Sequence, residues 1–277
     1  MNGYAHPEVL NGYAYPEVPV ETDWVKANLG KPGVKVVEID VDTVTPAPRE
    51  GWWVKVHEQF LDQARKGHID LLFLGDSIIQ GWNMGSRNNE VWKRCYGPRH
   101  AANFGIGGDC TQHVLWRIEN GEINGIHPRV TVLMIGTNNA GSNSADEIAA
   151  GVTAIVHELR KRLPETKVLL LGVFPRGAKP DSTRNKLEEV NRQISRLDDG
   201  TNVSYLDIGK TFLNPDGTIS PEIMPDYLHL TAKGYRLWAD AMEPTLWRLL
   251  DEPRRKDRTA RRLGTGSGIE GWPRGTY

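Results

Sequence analysis

Short apolar runs recur along the middle of the chain, separated by segments whose apolar residues have helical spacing. Each run is four to seven residues long and rich in residues that suit a sheet covered on both faces. The runs are residues 69–74, 101–104, 130–135, 168–174 and 203–208. They predict five buried strands.

The segments around these runs place apolar residues at steps of three and four. The predicted helices are residues 52–66, 111–118, 145–163, 187–197 and 232–249. Strands that alternate with helices of this length predict a three-layer α/β/α domain with a parallel five-stranded sheet. Ligands of such domains bind beyond the carboxyl ends of the strands, so site residues are expected directly after them.

The composition is that of an ordinary globular protein. The 277 residues include 34 lysines and arginines against 35 aspartates and glutamates, and 39% are hydrophobic. This excludes a chain disordered throughout, a collagen and a coiled coil. A formal net charge of -1 supplies no basic field, so nucleic acid and anionic membranes are not expected partners.

Membrane and secretion signals are not evident in the sequence. The longest apolar run, residues 168–174, is far shorter than the roughly 20 residues of a membrane-spanning helix, so no span is predicted. The first residues lack a basic start followed by an apolar segment, which favours a cytoplasmic location. Secretion stays open for a chain from which a signal has been removed. Cys95 and Cys110 are expected to be free thiols.

The two ends of the chain differ from its middle. Residues 1–50 are predicted to be an extension with a nine-residue tandem repeat at its start and an alternating run at 34–41 that suits an edge strand or a lead-in. Residues 51–250 are predicted to form the α/β domain. Residues 251–277 are a basic, glycine-rich tail, a composition typical of a solvated segment.

Two motifs follow the first two predicted strands. Gly75-Asp76-Ser77 places a serine hydroxyl at a helix N-terminus beside the ligand crevice, although Asp and Ser are equally typical of a helix cap. The glycine loop, residues 103–109, either aims backbone N–H groups at a ligand or forms a simple turn. The spacing of its glycines disfavours a dinucleotide-binding loop.

Two further motifs lie later in the chain. Asn138 follows the third strand, where its amide either donates to an oxyanion or forms an Asx turn. Asp226 and His229 lie three residues apart before the last helix, a separation that lets the carboxylate orient the imidazole. A lone histidine is more often structural. The joint occurrence of all four motifs, in an order that one mechanism explains, favours catalysis.

The four motifs resemble the blocks of the SGNH (GDSL-type) hydrolases. Within that superfamily, Gly-Asp-Ser-Ile-Ile-Gln, Asn-Phe-Gly-Ile-Gly-Gly-Asp and His-Val-Leu-Trp-Arg resemble the catalytic subunits of intracellular type I platelet-activating-factor acetylhydrolase. The likeness covers about residues 52–249. It implies the flavodoxin-like SGNH hydrolase fold for residues 51–250 and the activity of a serine esterase.

The resemblance implies a role for each motif residue. Ser77 is then the nucleophile, His229 the general base and later acid, and Asp226 its orienting partner. The oxyanion hole consists of the backbone N–H groups of Ser77 and Gly108 and the side chain of Asn138. No metal or other cofactor is expected, because the remaining histidines lack ligand spacing. The resemblance also implies a homodimer.

The acyl side of the site is crowded in the resembled enzymes, and the matching residues here are Ile78, Thr137 and Leu228. The expected substrate is a small-molecule ester of a short acyl group, chiefly acetyl. Its alcohol stays open between an O-acetylated carbohydrate and a phospholipid, because the nine tryptophans suit both sugar platforms and core positions. An acyltransferase and a non-catalytic binding module on the same fold are the alternatives.

Overall fold

The computed structural model describes residues 42–252, which fold around a five-stranded sheet. The strands are β1 (Leu71–Gly75), β2 (Ala101–Gly105), β3 (Val130–Met134), β4 (Lys167–Leu171) and β5 (Val203–Leu206). All neighbouring pairs are parallel, and the strand order is β2-β1-β3-β4-β5. The predicted parallel sheet is confirmed.

The strand order creates one switch point. Leu71 at the start of β1 pairs with Ala101 of β2 on one side and with Val130 of β3 on the other. The chain moves outward from β1 to β2 and then crosses back to β3. Helices after these strands lead away in opposite directions and leave a crevice at the carboxyl ends of β1 and β3.

Helices cover both faces of the sheet. They are α1 (Trp52–Lys66), α2 (Ser77–Gln80), α3 (Ser86–Cys95), α4 (Thr111–Arg117), α5 (Ala145–Arg162), α6 (Ser182–Ile194) and α7 (Ala232–Leu249). Leu72 and Leu74 pack into one core with α1, α4, α5 and α6, whereas Leu71 and Phe73 pack into the other with α2, α3 and α7. The three-layer α/β/α architecture is therefore confirmed.

The structure differs from the predicted elements at several places. β1 begins at Leu71, β5 ends at Leu206, and α6 begins at Ser182 rather than at residue 187. β4 ends at Leu171 although the apolar run continues, because the backbone of Val173 bonds to a side chain instead of to a strand. The Val173 N–H donates to Asn191 Oδ1 at 2.7 Å, and Asn191 Nδ2 donates to the Val173 carbonyl at 2.9 Å. The helix start at Ser77 is as expected from the sequence, although without a predicted length, whereas α3 was not predicted. α2 is only four residues long, and α3 buries a single residue, Trp92, so neither carries an apolar stripe that a sequence pattern reveals.

Part of the predicted extension packs on the domain. We call residues 42–50 the lead-in strap. Thr43 Oγ1 donates to the carbonyl of Glu147 in α5 at 2.6 Å, and Thr111 Oγ1 of α4 donates to the carbonyl of Thr43 at 3.0 Å. The Ala47 N–H donates to the carbonyl of Gln112 at 3.2 Å. The run at 34–41 and residues 253–277 of the predicted tail lie outside the described residues.

The structure also places the cysteines and three of the tryptophans. Cys95 and Cys110 are both free thiols, as expected. Trp82, Trp92 and Trp238 are buried, which assigns them to the core. No helix among residues 42–252 combines the length and hydropathy that crossing a bilayer takes.

Candidate active site

Ser77 begins α2 directly beyond the carboxyl end of β1. Asp76 caps that helix, because its Oδ1 accepts a hydrogen bond of 2.9 Å from the Ile78 N–H. The turn is therefore a helix cap, one of the two interpretations that the sequence left open. The same cap holds the Ser77 hydroxyl at the switch point of the sheet, so the capping role does not exclude the chemical one.

The Ser77 hydroxyl is in contact with His229, which comes from the loop before α7. Ser77 Oγ lies 2.9 Å from His229 Nε2, and His229 Nδ1 lies 2.6 Å from Asp226 Oδ2. Because Nδ1 faces a carboxylate, that nitrogen carries the proton and leaves Nε2 free to accept one from the serine. The three side chains form one continuous hydrogen-bonded chain.

The Asp226 carboxylate also organises its own turn. Its Oδ1 accepts hydrogen bonds from the backbone N–H groups of Leu228 at 3.1 Å and His229 at 2.7 Å. Tyr227, which lies between Asp226 and Leu228, adopts a left-handed φ of 59°, an unusual conformation for a bulky residue. Although burial acts to raise it, the pKa of Asp226 is lowered from its ordinary value by hydrogen bonds from the His229 ring and these N–H groups. Asp226 is therefore an anion at neutral pH.

The glycine loop lies beside Ser77. Its Gly107 N–H donates to Gln80 Oε1 of α2 at 3.0 Å. Gly108 has a left-handed φ of 78°, and a Cβ there would lie 3.2 Å from the Arg49 guanidinium. The backbone conformation favours glycine at this position, and a larger residue would also push the Arg49 guanidinium aside. Gly108 itself is exposed at the surface of the loop.

The two adjacent asparagines after β3 have different contacts. Asn138 Nδ2 donates to the carbonyl of Asp109 at 2.8 Å, which uses one hydrogen of the amide and leaves the other for a ligand. Asn139 is buried, and its Oδ1 accepts the Thr111 N–H at 3.0 Å at the start of α4. The Asn139 bond reaches a residue 28 positions away in the chain, so it is not the local Asx turn that the sequence left open. The helix after this loop, α5, is capped by Ser144.

A fully buried arginine supports the glycine loop. Arg117 Nε lies 2.9 Å from Asp109 Oδ2, and its Nη1 lies 2.6 Å from Glu122 Oε2. The same guanidinium donates to the carbonyls of Phe104 at 3.0 Å and Gly75 at 3.2 Å. Arg117 therefore joins the ends of β1 and β2 to the glycine loop, and two carboxylates offset its charge.

Replacing Arg117 by methionine is expected to lower the free energy of unfolding by about 3–5 kcal/mol, because Asp109 and Glu122 would both lose the fully buried cation that they share. Asp109 would keep its contacts with Arg49 and Trp53, and Glu122 its contact with His57. Chemical denaturation measures the change. The matched control is Arg192→Met, which removes an exposed ion pair with Glu189 and is expected to cost at most about 1 kcal/mol. A loss at Arg117 no larger than in the control would contradict the network.

Asp76 places a second carboxyl next to Ser77. Its Oδ2 is buried and has no hydrogen-bond partner among the described residues. Burial raises the pKa of Asp76 to about 7. The hydrogen bond from the Ile78 N–H acts to lower this pKa, and the nearby Asp109 carboxylate acts to raise it. Because this pKa exceeds that of an unfolded aspartate, Asp76 makes folding less favourable as the pH rises from about 4 to about 7.

A cavity of about 560 Å³ opens beside Asp226 and Asn138. Arg176 lies in its wall, and its Nη1 donates to the backbone carbonyl of Thr137 at 3.1 Å and to the hydroxyl at 3.2 Å. Buried Arg184 fixes the loop by donating to the Arg176 and Gly177 carbonyls at 3.2 and 2.6 Å. Arg176 was not among the site residues predicted from the sequence. Its position shortly after the fourth apolar run was the available signal.

The three residues expected on the acyl side have different positions. Thr137 and Leu228 line the cavity. Ile78 is 1% exposed and packs in the hydrophobic core below α2, so its role toward substrate stays a prediction. Among the described residues, no group of three or more histidine, cysteine, aspartate or glutamate side chains is placed to hold a metal ion.

A doubly wound parallel sheet with a serine, a histidine and a carboxylate in hydrogen-bond contact at its switch point is typical of carboxylic ester hydrolases. Comparison with known sequences gives the family. The chain belongs to the GDSL-like Lipase/Acylhydrolase family, whose model matches residues 73–237. It is therefore a carboxylic ester hydrolase, and the expected SGNH (GDSL-type) membership is confirmed.

Individual relatives agree with this assignment. The chain is 41% identical over 209 residues to the human platelet-activating factor acetylhydrolase IB subunit alpha2, an alignment that covers 75% of this chain and 89% of the relative. A GDSL-like lipase from Bacteroides thetaiotaomicron shares the fold with a TM-score of 0.56 and 16% identity, over 69% of this chain and 97% of that chain. An acetylxylan esterase from Geobacillus stearothermophilus also shares the fold, with a TM-score of 0.52 and 20% identity, over 66% of this chain and 94% of that chain.

Proposed function

We propose that this protein hydrolyses esters of short acyl groups, chiefly acetyl, through Ser77, His229 and Asp226. The observation that carries the proposal is the continuous hydrogen-bonded chain of 2.9 Å from Ser77 Oγ to His229 Nε2 and 2.6 Å from His229 Nδ1 to Asp226 Oδ2. A serine needs a base within this distance to become a nucleophile. The family assignment supports the same reaction class.

In the first half of the reaction, Ser77 Oγ attacks the carbonyl carbon while His229 Nε2 takes the serine proton. The negative charge then lies on the former carbonyl oxygen. The donors proposed for it are the backbone N–H groups of Ser77 and Gly108 and the second hydrogen of the Asn138 amide. His229 next gives its proton to the alcohol oxygen, the ester C–O bond breaks, and the acyl group remains on Ser77.

In the second half, a water molecule replaces the alcohol. His229 takes a proton from this water while the water oxygen attacks the acyl carbon, and the same donors hold the oxyanion. The proton returns to Ser77 Oγ as the acyl–oxygen bond breaks, which releases the free acid. Asp226 remains ionised throughout and keeps the imidazole in the required orientation. With another alcohol in place of water, the same acyl-enzyme would give transfer.

The cavity supports a polar alcohol as the leaving group. Arg176, Asp181 and Thr183 in its wall offer hydrogen-bond donors and acceptors, and a hydroxyl-rich molecule satisfies such groups better than a lipid chain does. An O-acetylated carbohydrate is therefore the proposed substrate class, and a phospholipid ester is the alternative, which the human relative's name suggests. Trp82, Trp92 and Trp238 are buried and cannot serve as sugar platforms. The aromatic side chain in the cavity wall is Tyr227.

A series of p-nitrophenyl esters from acetyl to decanoyl tests the acyl preference. We expect kcat/KM for the acetyl ester to exceed that for the octanoyl ester at least about tenfold, because Ile78, Thr137 and Leu228, the residues proposed for the acyl side, leave little room for a long alkyl chain. Leu228→Ala, which removes an apolar wall residue and widens the cavity, is expected to raise the octanoyl-to-acetyl ratio. A wild-type enzyme that prefers octanoyl esters would contradict the proposal.

The leaving group is tested separately, by release of acetate from acetylated xylooligosaccharides and from an acetylated phospholipid. The carbohydrate is expected to be the better substrate. A homodimer, expected from the sequence, stays part of the proposal, and the description of the human relative as a subunit supports it.

A further inference from the structure

The peptide unit between Gly107 and Gly108 has an unusual partner. Arg49 Nη1, from the lead-in strap, donates a hydrogen bond of 2.8 Å to the carbonyl oxygen of Gly107. A peptide unit is planar and trans, so its C=O and N–H groups point in opposite directions. The N–H of this unit belongs to Gly108. Holding the Gly107 oxygen on one side therefore fixes the direction of the Gly108 N–H on the other.

The guanidinium of Arg49 is itself held in place. Its Nη1 also contacts Asp109 Oδ1 at 3.2 Å, and its central carbon lies 6.0 Å from the centre of the Trp52 ring. Asp109 is fully buried and receives a further hydrogen bond of 2.7 Å from Trp53 Nε1. Arg49 is thus oriented by a rigid carboxylate, although its side chain remains 30% exposed.

The lead-in strap brings Arg49 to this position. Its hydrogen bonds through Thr43 and Ala47 attach it to α5 and α4, the helix that follows the glycine loop. The peptide unit before Gly107 is fixed from the opposite direction, because the Gly107 N–H donates to Gln80 of α2. Arg49 and Gln80 together leave the backbone around Gly107 little freedom to rotate.

We propose that Arg49 is a positioning residue of the oxyanion hole, which aims and polarises the Gly108 N–H through the Gly107 carbonyl. This inference rests on the proposed function, in which Gly108 is an oxyanion donor. A cationic donor on the carbonyl oxygen draws electron density through the peptide unit and makes its N–H a stronger donor. The lead-in strap thereby contributes to catalysis, although it precedes the region matched by the family model.

Arg49→Ala tests the inference. Loss of a complete oxyanion donor costs about 10²–10³ in kcat, so a donor that is present but poorly aimed is expected to cost about 10–100-fold. The KM for p-nitrophenyl acetate is expected to change less than about threefold, because the interaction strengthens only as the oxyanion forms. Affinity for an alkyl boronic acid, which forms a tetrahedral adduct with the serine, is expected to fall by the same factor as kcat.

Three further measurements separate positioning from a merely structural role. Arg49→Lys keeps a cationic donor and is expected to recover part of kcat, which also keeps the test decisive should the alanine variant fail to fold. Ethylguanidinium added to Arg49→Ala is expected to restore part of kcat. Arg65→Ala is the matched control, because Arg65 is an exposed arginine of α1 that pairs with Asp62, and its kcat is expected to equal wild type.

An Arg49→Ala enzyme with wild-type kcat, or with boronic acid affinity unchanged while kcat falls, would overturn the inference. Failure of the proposed function is recognised separately. If Ser77→Ala retains activity, the serine mechanism itself is wrong. If Ser77→Ala is inactive and Arg49→Ala is fully active, the mechanism stands and only the positioning role is lost.

Discussion

Replacing Ser77 by alanine is expected to lower kcat for p-nitrophenyl acetate by roughly 10⁵–10⁶-fold, the scale of loss when the nucleophile of a serine triad is removed. The hydroxyl at the switch point is the atom that would form the acyl bond, and water lacks its fixed position 2.9 Å from the base. Steady-state kinetics and labelling by a fluorophosphonate measure the effect. The label is expected to attach to the wild-type enzyme and not to the variant.

The matched control for this experiment is Ser86→Ala, because Ser86 is an exposed serine at the start of α3. Its activity and labelling are expected to equal those of the wild type. The Ser77 variant should also unfold at the same temperature as the wild type, since the capping bond from Asp76 to Ile78 does not involve the Ser77 side chain. Retention of more than about a tenth of the activity in folded Ser77→Ala would remove Ser77 from the role.

Replacing Asp226 by asparagine is expected to lower kcat by about 10⁴-fold. An asparagine oxygen can still accept the Leu228 and His229 N–H groups, so the turn is preserved. The amide nitrogen, however, cannot accept the proton of His229 Nδ1, and the imidazole is then free to take the wrong tautomer. Because the pKa of Asp226 is lowered from its ordinary value, the wild-type carboxylate is charged across the neutral range and the loss should persist there.

Kinetics of Asp226→Asn across the neutral range, about pH 6 to pH 8, measure this effect. Asp62→Asn is the control, since Asp62 is an exposed carboxylate whose ion-pair partner is Arg65, also exposed. Activity of Asp226→Asn within tenfold of the wild type would mean that His229 is oriented by its backbone alone.

The buried charges around the glycine loop link catalysis to stability. Asp109 receives hydrogen bonds or ion-pair contacts from Trp53, Arg49 and Arg117, and its carbonyl accepts the Asn138 amide. Asp109 therefore fixes the backbone of the glycine loop, which carries the proposed oxyanion donor Gly108. It also fixes the side chain of Asn138, another proposed donor. A buried network of this kind costs desolvation and is tolerated only when its members are satisfied.

Much of the fold follows from local pattern. The five apolar runs and the spacing of the helices predict the strands and the parallel sheet, and α1 and α7 begin and end at the predicted residues. This works because burial on both faces selects continuous apolar strands, and an amphipathic stripe selects a helix. The four motifs are also local, since each lies within a few residues of a strand end or helix start.

The contacts that complete the site are not local. Arg49 is 58 positions from Gly107 and His229 is 152 positions from Ser77, and no periodicity encodes such a pairing. The distance from Ser77 to His229 was expected only because a family resemblance supplied it. Arg49 and Arg176 lie outside the resembling motifs and were therefore missed.

The amino-acid sequence by itself determined the α/β class, the five strands and the long amphipathic helices, the four motifs and the family. Only the tertiary structure decided which polar residues meet. It showed that Asn139 binds the Thr111 N–H while Asn138 keeps one amide hydrogen for a ligand, that Ile78 is buried, and that Arg117 is fully buried between two carboxylates. The physical reason is that secondary structure depends on neighbours along the chain, whereas the partner of a buried charge is whichever group the packed fold brings within reach.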